Sequence, residues 1–199
     1  TGRFPDCQFV LLDGERVAVY GNSLPVAWDG TPADLPENGW DGAVLRGTTG
    51  HDAGRAPDAL CALSITVTRA YRGQGLATAG IHAMKRIVAR QGLRHYIHPV
   101  RPLLKSAYPL IPIERYARWM RADGLPFDPW LRAHVSAGGE MLGVEPESIT
   151  VSGTVRAWET WVNMAFPETG AYIVPGALTP VQIDCENDLG VYHEPHVWV

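Results

Sequence analysis

Tyr71-Arg72-Gly73-Gln74-Gly75-Leu76-Ala77 is the stretch whose reading decides the fold. The run before it, Leu60–Thr68, is largely apolar and of strand length, which predicts a central strand. After it, Leu76, Gly80, Ala83, Ile87 and Val88 recur at spacings of three to four residues. That spacing predicts a helix over 77–91 with one apolar stripe. A glycine-rich turn that opens a helix presents unpaired backbone N–H groups at the positive end of the helix dipole. Such a turn is a ready anion site.

The surroundings favour an anion. From Ala59 to Ile113 there is no Asp or Glu, while Arg69, Arg72, Lys85, Arg86, Arg90, Arg94, Arg101 and Lys105 all fall there. All 21 acidic residues lie elsewhere, in a chain of net charge −4. Basic residues near the end of the helix, with Gly92 as a C-cap, suit its dipole. His95–Val100 then reads as a strand. Strand, helix and strand in this order predict a crossover unit with neighbouring parallel strands.

Upstream, Gln8–Leu12 and Arg16–Asn22 are strand-like and flank Asp13-Gly14, a hairpin signal; the second run can extend through Leu24–Trp28. Residues 29–58 are rich in Gly, Pro and Asp and read as a long connection with a short helix near Trp40–Gly47. Downstream, Ile113–Ala122 and Trp130–Ala137 read as helices, Ile149–Ser152 as a short strand, and Thr154–Met164 as a helix with Thr154 as N-cap. Tyr172–Val174, Val181–Cys185 and Val191–Val199 read as closing strands.

At 199 residues the chain is long enough to bury a full core as one domain. The acidic balance argues against general nucleic-acid binding. No run approaches the roughly 20 apolar residues of a membrane span, and Arg3 and Asp6 do not flank a secretory apolar region. Cys7, Cys61 and Cys185 are odd in number and form no CxxC pair, so reduced thiols and a cytoplasmic setting are expected. No metal-ligand spacing is present, so no metal is expected. Oligomeric state has no readable code, and a homodimer is compatible with the chain.

The turn lacks the Gly-Lys-Ser/Thr of a Walker loop, and Thr78 stands where a dinucleotide fingerprint needs its third glycine. Arg72-Gly73-Gln74-Gly75-Leu76-Ala77 instead resembles the Arg/Gln-x-x-Gly-x-Gly/Ala signature of the GNAT N-acetyltransferase superfamily, in the same strand–turn–helix setting. The resemblance covers roughly residues 8–30 and 60–110. It implies an α/β (α+β) fold, a mixed and mostly antiparallel sheet flanked by helices, with an extra helical segment at 109–150. The family's first strand and first two helices would lie before Thr1.

The resemblance also implies a site. Arg72, Gly73, Gln74, Gly75, Leu76, Ala77 and Thr78 would cradle the pyrophosphate of acetyl-CoA, the co-substrate. Ile65, Thr66 and Val67 would pair with its pantetheine arm, with Val67 N–H polarising the thioester carbonyl. Tyr108 stands where the family has a tyrosine that protonates the departing thiolate, and a phenol's higher pKa permits that transfer. Arg101 replaces a common Asn. His98, on the presumed cleft strand, suits deprotonation of an amine. The implied activity is acetyl transfer by direct attack to an amine of a small molecule or peptide. Two alternatives stand beside it: a GNAT-fold decarboxylase and S-acyltransferase acting on malonyl-CoA through Thr66 or Thr68 with His98, and a non-catalytic CoA-binding domain. Arg101 and Lys105 are candidate phosphate contacts, and Trp119 and Trp130 candidate walls of an acceptor pocket.

Overall fold

The computed structural model describes residues 2–199. In chain order its strands are β1 (Phe9–Asp13), β2 (Arg16–Val26), β3 (Ala59–Val67), β4 (His95–Ile97), β5 (Pro99–Val100), β6 (Gly143–Gly153), β7 (Gly170–Tyr172), β8 (Val181–Asp184) and β9 (Leu189–Trp198). The helices are α1 (Gly39–Asp52), α2 (Leu76–Gln91), α3 (Ile113–Tyr116), α4 (Pro129–Ser136) and α5 (Val155–Val162).

β1, β2 and β3 form an antiparallel meander, turned at Gly14 with φ +58°. β4 joins β3 in parallel, with Ala59 opposite His95 and Cys61 opposite Ile97. The predicted crossover through α2 is therefore present. A second, antiparallel sheet has the order β5-β9-β8-β7, with β6 along the other side of β9.

The two sheets meet at one residue. His98 N–H donates to Val199 O at 2.9 Å, and Val199 N–H donates back to His98 O at 3.1 Å. The predicted strand 95–100 thus leaves β3 after Ile97 and joins β9. Pro99 supplies a physical reason, since it has no N–H to extend the ladder with β3.

Side chains alternate across this sheet as period-2 geometry requires. Ala59, Cys61, Ile97 and Trp198 face α1 and pack with Leu24, Val26 and Ala43. Leu60 and Ala62 face α2 and pack with Met84 and Ile87. α2 approaches closely because Gly80 has no side chain; a Cβ there would stand 2.5 Å from Ile65 Cγ2.

Three expectations need correction. The helix expected over 113–122 stops at Tyr116; the chain reverses at Gly124 (φ +76°), where Asp123 accepts the Leu125 N–H and Met120 bridges Pro126. The short strand at 149–152 is the second half of the long β6, whose register with β9 is broken between Glu145 and Ile149 and so shows no continuous alternation. The segment 109–150 is accordingly only partly helical. The helix near 40–47 runs further, to Asp52.

Among the described residues, no helix is long and apolar enough to cross a membrane. Cys7, Cys61 and Cys185 are unpaired.

Candidate active site

The site is built on an open strand edge. β4 pairs only with Ala59, Leu60 and Cys61, so the rest of β3 has no partner on that side. Thr68 N–H donates to Ala18 O across the β2 ladder. Hydrogen-bonded and non-bonded pairs alternate along antiparallel strands. Thr66 therefore faces β2 with its backbone groups, and Ile65 and Val67 turn theirs to the open edge. Arg72 confirms the direction, because its Nε reaches Val67 O at 3.4 Å. The register of β3 with β2 shifts between Asn22 and Ser23, leaving Leu63 as the extra residue of a bulge.

The edge leads into the glycine turn. Gly73 and Gly75 adopt φ +78° and +75°, and a Cβ at either would meet no atom within 4 Å. Backbone conformation, not crowding, is what requires glycine there. The N–H groups of Gly73, Gln74, Gly75, Leu76 and Ala77 find no acceptor among the described residues, and Thr78 N–H makes a 3.3 Å contact with Gly75 O. Arg69, Arg72 and Gln74 are exposed beside them.

His98 stands at the divergence itself and is 3% exposed. Its Nδ1 lies 3.2 Å from His134 Nε2 on α4, and Trp130 packs edge-on against its ring. Burial, then His134 and His196 nearby, hold its pKa well below the ordinary histidine value. It is therefore a neutral imidazole at neutral pH.

Tyr108 lies in an aromatic cluster, with its ring centroid 4.9 Å from that of Trp119 and 6.0 Å from those of Tyr116 and Phe127. Trp119 belongs to this cluster and Trp130 to the histidine pair. Arg101 and Lys105 do not project as free phosphate ligands. Arg101 is held by Glu194 Oε2 at 3.0 Å and Gly176 O at 2.9 Å. Lys105 is fully buried and donates to Tyr108 O and Leu178 O, and burial brings its pKa down to about 8. Thr68 Oγ1 is turned to Val17 O and Ala18 O, away from the open edge.

The other face of the divergence carries residues that no local pattern announces. Trp40 Nε1 donates to Leu63 O at 3.0 Å, at the bulge. Trp40 N–H donates to Ser148 Oγ, which lies 2.7 Å from His196 Nδ1. His196 Nε2 lies 3.2 Å from Glu194 Oε1, and Glu194 Oε2 takes Tyr192 and Arg101. Burial alone would raise the Glu194 pKa; its His196 bond and the Arg101 charge outweigh that and leave it below the usual value. The chain of bonds spans from β3 to the end of β5. Its members are 108 and 48 residues apart in sequence, so spacing rules could not find them.

No protein-family model matches the chain. It is 34% identical over 205 residues to the arginine N-acetyltransferase avaD of Aspergillus versicolor, covering 93% of this chain and 70% of that protein. The chain belongs to the GNAT N-acetyltransferase superfamily. It is an acyltransferase. Two solved structures share the GNAT fold with it. The loading GNATL domain of CurA from Lyngbya majuscula superposes with a TM-score of 0.57 at 18% identity, over 73% of this chain and 69% of that one. The GphF GNAT-like decarboxylase in complex with isobutyryl-CoA gives 0.54 at 19% identity, over 74% and 72%.

Proposed function

We propose that this chain transfers the acyl group of acetyl-CoA to an amine of a small molecule or peptide by direct attack. The observation that carries the reading is the continuous open backbone of Ile65 and Val67 running into the unpaired N–H groups of residues 73–77. An extended amide-bearing arm suits the edge of β3 as an added strand would, and a pyrophosphate suits the turn. Ile65, Thr66 and Val67 hold the arm; Arg72, Gly73, Gln74, Gly75, Leu76, Ala77 and Thr78 hold the diphosphate. Val67 N–H polarises the thioester carbonyl as charge develops on its oxygen.

His98 takes the proton of the attacking amine. Its neutral state at neutral pH supports that role, because a protonated imidazole has no lone pair to offer. Tyr108 returns a proton to the thiolate. The name of the relative makes arginine the first acceptor to test. Three unpaired thiols support a reducing, cytoplasmic setting.

Sequence likeness to an N-acetyltransferase favours this over malonyl decarboxylation, as does the engagement of Thr68 with β2. Calorimetry with acetyl-CoA, followed by thiol release with arginine and an amine panel, tests the reading. Absence of binding at millimolar acetyl-CoA sinks it; carbon dioxide from malonyl-CoA without amine turnover favours the decarboxylase.

A further inference from the structure

His98 and His134 form a pair that joins two sides of the wall between α2, α4 and β4. The free nitrogens are His98 Nε2 and His134 Nδ1. Among the described residues, Tyr96 Oη is the single buried side-chain N or O atom with no hydrogen-bond partner. The two residues are only 3% and 2% exposed. The two residues stand at different places in the fold. His134 lines a cavity of about 250 Å³ with Lys85, Arg94, Tyr96 and Glu140; His98 does not line it and stands at the strand divergence.

The pair has two neutral tautomers. In one, His98 Nδ1–H donates to His134 Nε2, leaving a lone pair on His98 Nε2 and a proton on His134 Nδ1. In the other, His134 Nε2–H donates to His98 Nδ1, with the proton on His98 Nε2 and the lone pair on His134 Nδ1. Passing between them moves one proton from the divergence to the cavity, with no side chain changing place.

We infer that His98 and His134 form a two-histidine relay that carries the acceptor amine's proton through the wall to the water of the α2–α4 cavity. The inference rests on His98 as the base of the proposed acyl transfer. His98 Nε2 takes the proton from the amine nitrogen as the N–C bond forms. The Nδ1 proton of His98 moves to His134 Nε2, and the Nδ1 proton of His134 leaves to water. The thioester C–S bond breaks, and the thiolate leaves with the Tyr108 proton. The reverse run resets the pair: a proton enters at His134 Nδ1, and the one on His98 Nε2 returns through the water that refills the cleft to Tyr108. One proton goes out and one comes back, matching amine plus thioester giving amide plus thiol.

The electrostatics suit a conduit rather than a store. Burial and the Lys85 ammonium bring the His134 pKa down to about 4. Burial, His134 and His196 lower that of His98. The ring of Tyr96 stacks on that of His134, centroids 6.4 Å apart, and contributes no charge at neutral pH. Neither ring retains the proton it passes on. His134 is a positioning residue, since it acts through His98 and not on the substrate.

The test uses His134→Gln and His134→Ala in the whole chain. Glutamine keeps an acceptor for His98 Nδ1 but has no second nitrogen to release a proton. Both variants should lose at least tenfold in kcat with little change in KM for acetyl-CoA or acceptor. Added imidazole should restore kcat in His134→Ala through the adjacent cavity, whereas 1,2,4-triazole, similar in shape but far less basic, should not. Full kcat in His134→Gln, or equal rescue by both azoles, overturns the relay. If His98→Gln keeps wild-type turnover, the base assignment itself falls. Nitrogen-15 spectra of histidine-labelled protein, independent of turnover, should show both rings neutral at pH 6; a cationic ring in either also overturns the relay.

Discussion

Trp40 Nε1 donates to the carbonyl oxygen of Leu63 at 3.0 Å, tying the first turn of α1 to the bulge of β3 at the start of its unpaired edge. The same residue's N–H donates to Ser148, so one tryptophan links β3 to β6. Gly39 makes this approach feasible, since a Cβ there would lie 2.1 Å from Ser148 Oγ.

Trp40→Phe keeps the ring and removes the donor, leaving the Leu63 carbonyl unpaired. A loss of about 1–2 kcal/mol is expected, lowering Tm by about 2–8 °C. Thermal unfolding followed by circular dichroism measures it. A shift no larger than that of a surface substitution would mean that water replaces the indole without loss.

Gly75→Val puts a β-branched residue at φ +75° in a turn with open space around it. The strain costs about 1–3 kcal/mol, and relief of it moves the backbone N–H groups. Acetyl-CoA affinity should fall at least tenfold by calorimetry. Gly124→Val, at φ +76° in the remote reverse turn, should bring similar strain and leave affinity unchanged. Equal affinity in both variants would dissociate the turn from binding.

Acidification should destabilise the fold before carboxylates titrate. His134 has an ordinary value of 6.5 when unfolded and about 4 when folded, so the unfolded chain binds more protons between these values. Stability is complete above pH 6.5 and falls as pH drops towards 4, by about 3 kcal/mol from this residue. His98 acts in the same direction. Glu194, with its depressed pKa, adds its own loss below its ordinary value of 4.5. Urea unfolding at pH 7.5, 6 and 5 should therefore show a slope that His134→Gln reduces.

Arg101→Gln removes the cation beside Glu194, whose side chain is 13% exposed. Because Arg101 is itself 42% exposed, a loss of about 1–2 kcal/mol at pH 7 is expected rather than that of a fully buried pair. The loss should shrink at low pH, where Glu194 protonates in the variant. Chemical denaturation at both pH values checks this, and a difference independent of pH would assign the effect to the Gly176 contact.

Much of this architecture is legible along the chain because it is local. The Asp13-Gly14 hairpin, the glycine turn and the stripe of α2 each occupy a few consecutive residues whose periods and dihedral needs show directly. His98 was legible as a histidine on the strand beside the cleft. His134 was not, because nothing in Trp130–Ala137 distinguishes a core histidine from a partner of His98. Glu194 and His196 read as one more closing strand. Pro146 and the broken register interrupt the alternation of β6, so only its second half shows along the sequence.

The sequence by itself determined the central crossover, the anion-suited turn and the GNAT resemblance, since backbone conformation and helix dipoles depend on near neighbours. Tertiary structure alone decided where β4 leaves β3, which histidines touch, and that Arg101 and Lys105 are engaged by other groups of the protein. Those outcomes depend on which side chains meet across 36 to 108 residues of chain, and packing selects such contacts without leaving any spacing to read.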